Sequence, residues 1–260
     1  MIFVETHCYA LGCTLGLTRA RAEFERQVQS ADEKSLPCAR TIQRLRSLDE
    51  VQLWYDVGST RLAESRSRAV HEAVHSQCDL YFSCDDDCEA NLQALEWMIE
   101  AVHDRPAVCI APYWRRLSEL QGPKVCVNLP EVPEGDTRVY RMLSGGGMVT
   151  MARNGGMGLV CASMQALRRI VEANSQADMM YTDLQGVTRC ALFMEYIKDG
   201  AWLGEDVAFF SRIPRDVSLE ALMTGLTSHA GEKLDLSVLQ TTREELEALL
   251  ASQGTASSVN

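Results

Sequence analysis

The sequence lacks a long apolar run, an excess of basic residues and any Cys-x-x-Cys pair. Without an apolar run of about 20 residues, it contains no candidate membrane span. Glu5 and His7 interrupt the first apolar run, which argues against a secretory signal. The formal net charge of −11 disfavours broad nucleic-acid binding, which needs a basic face. The ten cysteines, several inside apolar runs, predict reduced thiols in a cytoplasmic protein, with no zinc knuckle.

The composition is that of a globular protein, with 46% hydrophobic and 23% charged residues in 260. In the first half, strand-like and helix-like segments alternate, which predicts a parallel sheet with helices on both faces. The strand-like segments are 51–57, 79–83 and 107–114. The helix-like segments are 23–46, which Pro37 is expected to break, then 59–77 and 88–103.

The second half has a different character, because β-branched runs alternate with glycine clusters at 144–148 and 154–158. This pattern predicts mixed or antiparallel strands, and we interpret the clusters as mobile turns near a cleft. Further predictions are a helix over 164–174, a strand over 190–197 and a short helix over 205–213.

Three consecutive acids, Asp85, Asp86 and Asp87, follow the strand-like segment 79–83. Like charges repel, so either solvent screens them or a cation binds there. One interpretation is that Asp86 caps a helix beginning near Cys88, as part of a capping box. The other is a metal site at the carboxyl end of a strand, where open α/β sheets bind ligands. Carboxylate oxygens suit Mg²⁺ or Mn²⁺.

Several arginines lie in the helix-like segment that precedes the acidic strand. An ion pair between Glu64 and Arg68 would make this segment a solvated helix face. Guanidinium groups also bind phosphates and nucleotide bases, so a binding role is the second hypothesis. The arginines concerned are Arg61, Arg66 and Arg68.

The order of these segments resembles that in nucleotide-sugar-dependent glycosyltransferases with the GT-A fold. In that family, an arginine-bearing helix precedes a hydrophobic strand that ends in Asp-x-Asp. The corresponding segments of this sequence are "ESRSRAV" and "CDLYFSCDDDCEAN". The segment "GAWLGEDVAFFSRI" resembles the family's acceptor-side motif, and "TSHAGEKL" resembles its C-terminal histidine segment. The four matches span residues 59–234 in the expected order.

The resemblance implies an α/β, GT-A-like fold: a Rossmann-like, mostly parallel sheet flanked by helices, with a mixed-strand acceptor half. It implies one domain over residues 1–240, divided into a nucleotide-sugar-binding half (1–115) and an acceptor half (116–240). A C-terminal helix and frayed tail would follow over 241–260.

The implied activity is metal-dependent transfer of a sugar from a nucleoside-diphosphate sugar, expected to be a UDP-sugar, to an acceptor hydroxyl. The resemblance assigns Asp85, Asp87 and His229 to a Mn²⁺ or Mg²⁺ ion. It makes Asp206, with Glu205 beside it, the candidate acceptor base, which favours inversion at the anomeric carbon. The expected nucleotide-sugar contacts are Arg61, Arg66, Arg68, Asp85 and Asp86.

Other hypotheses stay open at this point. Glu205 and Asp206 could cap a helix after Gly204, and His71-Glu72-x-x-His75 has the spacing of a zinc hydrolase. A nucleotidyltransferase or a non-catalytic nucleotide-sugar binding module could share the acidic site. The acceptor could be a small molecule, a glycan, a protein or a hydroxymethylated DNA base.

Overall fold

The computed structural model describes residues 1–8, 15–57, 61–115, 124–133, 136–183 and 185–240. The predicted helix in the tail after residue 240 lies outside this part of the chain. Helices in the described part are α1 (Leu17–Ser30), α2 (Pro37–Leu48), α3 (Leu62–His75), α4 (Leu92–Val102), α5 (Met164–Asn174) and α6 (Glu205–Ser211). None of them is long and apolar enough to cross a membrane.

Nineteen strands are found in the same part of the chain. They are β1 (Ile2–Cys8), β2 (Val51–Val57), β3 (Leu80–Asp85), β4 (Cys88–Ala90), β5 (Ala107–Ile110), β6 (Trp114–Arg115), β7 (Lys124–Val125), β8 (Val127–Asn128), β9 (Arg141–Met142), β10 (Met148–Met151), β11 (Asn154–Gly155), β12 (Leu159–Ser163), β13 (Met180–Thr182), β14 (Thr188–Cys190), β15 (Tyr196–Lys198), β16 (Ala201–Leu203), β17 (Ser218–Leu222), β18 (Leu226–His229) and β19 (Glu232–Asp235).

Eight of these strands form one mixed sheet in the order β2-β1-β3-β12-β5-β17-β10-β9. Strand β1 pairs in parallel with β2 and β3, and β17 pairs in parallel with β5. Strands β12 and β10 run antiparallel to their neighbours. The α/β class is therefore confirmed, as are the mixed strands predicted for the second half of the chain.

Helices cover both faces of this sheet, because alternate residues of its strands point to opposite sides. On one face, Val4 of β1 belongs to a buried cluster with Phe24 of α1 and Leu95 of α4. On the other face, Phe3 belongs to a cluster with Val70 of α3. Buried strands with helices on both sides are expected to read as nearly continuous apolar runs.

The long helical segment predicted over 23–46 consists of two helices. Helix α1 ends at Ser30, and Ala31 takes a left-handed conformation with φ of 43°. Pro37 is the first residue of α2, where its missing N–H and fixed φ cost nothing. The predicted break at Pro37 is confirmed.

The predicted helix over 88–103 begins later than expected, and its proposed capping box is wrong. Residues Cys88–Ala90 form strand β4, which pairs antiparallel with β18. Helix α4 is capped instead by Asn91, whose side chain accepts a hydrogen bond from the Ala94 N–H at 2.9 Å. Pairing with a distant strand therefore overrides the local helix signal at Asp86 and Glu89.

The single strand predicted over 190–197 is also wrong. Strand β14 ends at Cys190 and β15 begins at Tyr196. Between them, the Arg212 guanidinium donates to the carbonyl oxygens of Leu192 at 2.5 Å and Met194 at 2.8 Å. A side chain therefore satisfies backbone acceptors that a sheet partner would otherwise bind.

Candidate functional site

The candidate site lies at the carboxyl edge of the parallel strands β1, β2 and β3. Asp85 is the last residue of β3 and stands opposite His7 of β1. Asp86 and Asp87 form the turn that leads into β4. Because α3 follows β2 along the chain, its first turns lie near the same edge, and Arg66 of α3 contacts Asp85.

Arg66 joins the two acidic segments that the sequence singled out. Its side chain is only 1% exposed, and its two terminal nitrogens lie 2.7 Å from Asp85 Oδ1 and 2.7 Å from Asp206 Oδ1. Burial alone would lower the Arg66 pKa, but the carboxylates of Asp85 and Asp206 raise it above its ordinary value. Arg66 is thus a buried, permanently charged clamp, and both terminal nitrogens already contact carboxylates. This geometry does not support the predicted direct contact between Arg66 and a nucleotide.

Asp206 is held by groups outside its own helix. It is the second residue of α6, and its Oδ1 accepts a hydrogen bond from Arg66 of α3 at 2.7 Å. Burial raises the pKa of Asp206 to about 6, an effect opposed by Arg66 and reinforced by Glu205 and Asp85. Because 30% of its side chain is still exposed, Asp206 can exchange a proton with solvent or with a bound molecule. Its contacts argue against a simple capping role.

A second cluster brings together Asp87, Cys88 and His229. Antiparallel pairing of β18 with β4 places His229 opposite Cys88. Asp87 Oδ2 then lies 3.2 Å from His229 Nε2, and the Cys88 thiol donates to Asp87 Oδ1 at 3.7 Å. Within the described ranges, these three residues are the only group of three potential metal ligands that converges.

The donor set suits a divalent ion with two protein ligands. Carboxylate oxygen and imidazole nitrogen together favour Mn²⁺ over Mg²⁺, which prefers oxygen alone. Burial, followed by the charges of Asp85 and Asp87, raises the pKa of the Cys88 thiol well above its usual range. In the absence of an ion, the Cys88 thiol donates to Asp87. Asp85, a predicted ligand, is absent from this cluster because Arg66 binds its Oδ1.

The glycine cluster at 154–158 packs tightly beside the two acidic groups, contrary to its interpretation as a mobile turn. A Cβ at Gly158 would lie 2.7 Å from Cys88 Sγ and 2.8 Å from the Tyr113 hydroxyl oxygen. The Gly158 N–H donates to that hydroxyl at 3.2 Å, and the Tyr113 ring lies 5.1 Å from the His229 ring. Tyr113 was missed in the sequence because nothing local distinguishes it; the closely spaced glycines were the available signal.

A buried polar layer beneath the site was also missed. The Glu5 side chain is fully buried, and its Oε1 lies 2.8 Å from His7 Nε2. Its other oxygen accepts from the Tyr81 hydroxyl, and Ser83 Oγ lies 3.5 Å from Oε1. Burial raises the pKa of Tyr81 well above its usual range, so Tyr81 stays protonated and donates to Glu5.

The remaining predicted residues lie nearer the surface. Arg61 Nη1 is 3.2 Å from Glu64 Oε2, so Glu64 pairs with Arg61 rather than with Arg68 as predicted. Arg68 borders a small cavity of about 170 Å³ that Arg61 also lines. The Asp86 carbonyl accepts from the Cys38 N–H at 3.4 Å.

The zinc-hydrolase hypothesis gains no support from the geometry. His71 and His75 do lie on one helix, with ring centroids 4.4 Å apart. However, Glu72 Oε1 lies 3.4 Å from Arg189, and His75 Nδ1 is bonded within the helix to the His71 carbonyl at 2.7 Å. In the part of the chain described here, no third ligand joins these two histidines.

A cavity of about 650 Å³ is lined in part by Glu205, the residue before Asp206. Its wall includes Leu62 at the start of α3, Trp202 of β16 and Glu205, the first residue of α6. Glu205 therefore faces this cavity while its neighbour Asp206 contacts Arg66.

Comparisons with known proteins find only distant fold similarity. No protein-family model and no curated protein matches the sequence. Among solved structures, A197 from STIV is 15% identical with a TM-score of 0.45, covering 91% of this chain and 90% of that one. A 4-diphosphocytidyl-2C-methyl-D-erythritol synthase from Anaerococcus prevotii is 12% identical with a TM-score of 0.39, covering 98% and 96%. S. aureus TarS, in complex with UDP-GlcNAc, is 12% identical with a TM-score of 0.36, covering 94% and 63%. Neighbours this distant assign no activity to the chain.

Proposed function

We propose that this chain is a metal-dependent glycosyltransferase that moves a sugar from a nucleoside-diphosphate sugar, with UDP as the expected nucleotide, to an acceptor hydroxyl. The observation that carries the proposal is the meeting of Asp87 and His229, 3.2 Å apart, at the carboxyl edge of the parallel strands. In this proposal, residues 1–240 act as one domain, in which 1–115 supply most donor contacts and 116–240 most acceptor contacts.

Asp87 and His229 would hold the ion, and a bound Mn²⁺ would stabilise negative charge on the departing diphosphate. Asp85 and Asp86 would lie beside the donor, with Arg61 and Arg68 at the surface near the same edge. Arg66 acts as a positioning residue, because it fixes Asp85 and Asp206 relative to each other.

The proposed transfer is a substitution at the anomeric carbon. The acceptor hydroxyl oxygen forms a bond to that carbon, and the bond to the β-phosphate oxygen breaks with its electron pair. Asp206 takes the hydroxyl proton, so the products are the glycosylated acceptor and the nucleoside diphosphate. A pKa near 6 makes Asp206 a stronger base than an ordinary aspartate while leaving it ionised at neutral pH.

The test is donor binding, measured by thermal shift and calorimetry with UDP-glucose, UDP-GlcNAc and GDP-mannose, each with and without Mn²⁺. We expect a UDP-sugar to stabilise the protein only when Mn²⁺ is present. Asp87→Asn and His229→Gln should remove the Mn²⁺ dependence. The matched control is the exposed His103–Asp104 pair, whose side chains are 2.7 Å apart on the surface. His103→Gln and Asp104→Asn should leave donor binding unchanged.

The alternatives predict different outcomes. Release of diphosphate from a nucleoside triphosphate would indicate a nucleotidyltransferase. Donor binding with no release of nucleoside diphosphate, with or without an acceptor, would indicate a binding module. Unchanged Mn²⁺ dependence in both Asp87→Asn and His229→Gln would overturn the metal assignment.

A further inference from the structure

The cavity lined by Glu205 and Trp202 has features that restrict what it can bind. It is bounded by the first turn of α3, by the segment before β15 and by β16. Its volume of about 650 Å³ is typical of sites for small organic ligands rather than for extended polymers. Glu205 lines the cavity, whereas the side chain of the next residue, Asp206, contacts Arg66.

One wall of the cavity is apolar and exposes large side chains to solvent. Trp202 is 66% exposed and Met194 is 45% exposed, and both line the cavity. Ile197, 67% exposed, stands directly opposite Trp202 across the β15–β16 hairpin, so both project from one face of it. An exposed tryptophan at a cavity offers a flat surface for stacking against a ring.

The polar part of the cavity wall is acidic. Three carboxylates, Glu64, Glu195 and Glu205, line it together with one cation, Arg61, which gives a formal charge of 1 − 3 = −2. Arg61 lies 3.2 Å from Glu64. Glu205 also lies close enough to the buried Arg66 to help raise the pKa of that guanidinium, but Arg66 is not part of the cavity wall. This charge repels phosphorylated or carboxylated ligands and attracts ammonium groups, which aromatic faces also bind.

We propose that this cavity binds a small acceptor that carries a ring, a hydroxyl and a positively charged amine. The ring packs on Trp202, and the amine lies near Glu195 and Glu205. The hydroxyl requirement rests on the proposed function, because it assumes that the bound molecule is the sugar acceptor. The ring and the positive charge follow from the cavity wall alone.

Three probes with one ring but different charge test this inference: tyramine (cationic), tyrosol (neutral) and 4-hydroxyphenylacetate (anionic). Binding is measured by NMR titration without donor or metal. We expect tyramine to bind about tenfold more tightly than tyrosol, since an attraction of 1.4 kcal/mol is one tenfold step. The anion should bind more weakly than either. Equal affinities, or a preference for the anion, would overturn the proposal.

Variants separate the charge contribution from the ring contribution. In the double variant Glu195→Gln/Glu205→Gln, the preference for tyramine over tyrosol should disappear while tyrosol affinity is retained. The control Glu33→Gln/Glu172→Gln makes the same change in net charge at two exposed residues elsewhere and should keep the preference. Trp202→Ala should lower the affinities for tyramine and tyrosol alike. Unchanged affinities for both probes would contradict the stacking of their rings on Trp202. Thermal midpoints of all variants are compared with that of the parent protein.

The outcome is distinguishable from failure of the proposed function. If the cationic preference is found but no donor binds, the cavity inference stands and glycosyl transfer fails. If a nucleotide sugar binds with Mn²⁺ but the three probes bind equally, the function stands and the acceptor class is wrong.

Discussion

The two faces of strands β1 and β3 differ sharply, although the same two strands supply both. On the α1–α2–α4 face, Val4 and Phe82 are buried in an apolar cluster, beside the buried Thr6 of β1. On the opposite face, Glu5 and Tyr81, which neighbour them in sequence, form a buried polar layer below Arg66. The first face is stabilised mainly by apolar packing, whereas the second combines the apolar Phe3 with charges and hydrogen bonds that must be matched.

This contrast indicates that the polar face contributes less to the stability of the fold than the apolar face does. Buried ion pairs are weak contributors to stability compared with well-packed apolar residues. Removing one residue of such a pair is nevertheless strongly destabilising, because it leaves the other charge buried without a partner. At the carboxyl end of β3 this polar face reaches Asp85, which shares Arg66 with Asp206, the proposed base. We therefore expect substitutions on the polar face to affect activity and charge balance, and substitutions on the apolar face to affect the free energy of unfolding alone.

The largest effect is expected for Asp206→Asn. The change keeps the hydrogen bond from Arg66 but removes the proton acceptor, so turnover should fall by roughly 10²–10⁴-fold. Product formation and donor titration are measured together, and donor affinity should stay the same. On the apolar face, Ile42→Val should leave turnover unaltered. Near-normal turnover in Asp206→Asn would contradict the proposal that Asp206 is the base.

Arg66→Met should lower the free energy of unfolding by about 3–5 kcal/mol, because it leaves Asp85 and Asp206 beside each other without their buried cation. The measurement is denaturant unfolding at neutral pH. The loss should be smaller in the Asp206→Asn background, where one of the opposing charges is already gone. Equal losses in the two backgrounds would show that Arg66 acts through its volume.

The adjacent residues Val4 and Glu5 provide a matched test of the two faces. Val4→Ala removes buried methyl groups and should cost about 2 kcal/mol of unfolding free energy. Glu5→Gln preserves volume, and its cost of about 1–3 kcal/mol should come from imperfect hydrogen bonds to Tyr81 and His7. The double variant Glu5→Gln/Tyr81→Phe should lose less than the sum of the losses in Glu5→Gln and in Tyr81→Phe, because the two side chains share one hydrogen bond. Additive losses would contradict a coupled polar layer.

The smallest effect is a gradual dependence of turnover on pH. Because burial raises the Asp206 pKa to about 6, the carboxylate form is lost as the pH falls through that value. Below it, kcat/KM should decrease by about tenfold per pH unit if Asp206 is the base. The residual activity of Asp206→Asn should lack this step. A profile in the parent protein that is flat from pH 7 to pH 5 would contradict the assignment.

Local sequence patterns were sufficient for elements whose signals agree with their surroundings. Helix α5 matches the prediction over 164–174, and Ser163 caps it through a bond from the Ala166 N–H. Strand β2 likewise matches 51–57. The prediction failed at Cys88–Ala90, because a strand far along the chain pairs with it, and local periodicity contains no information about such a partner.

The candidate site shows the same division. The acids at 85–87, together with His229, were predicted from motif order, and the structure brings Asp87 and His229 into contact. The convergence of Asp85 and Asp206 on one guanidinium was not predicted, because it depends on the burial of Arg66. Tyr113 and Glu5 were not predicted, because their contacts are with segments far away in the sequence. Residue type alone does not indicate such contacts.

The pairing of β18 with β4 also has a kinetic consequence. Asn91 and Leu226, which hydrogen-bond where these strands meet, are separated by 135 residues. Closing so long a loop costs chain entropy before any contact rewards it, and high contact order slows folding. The Asp87–His229 pair is therefore expected to form after the β1–β3 pairing, whose partners are only 78 residues apart. A ribosome-bound chain that has not yet exposed β18 can pair its first strands and still lack the Asp87–His229 contact on which the proposed metal site depends.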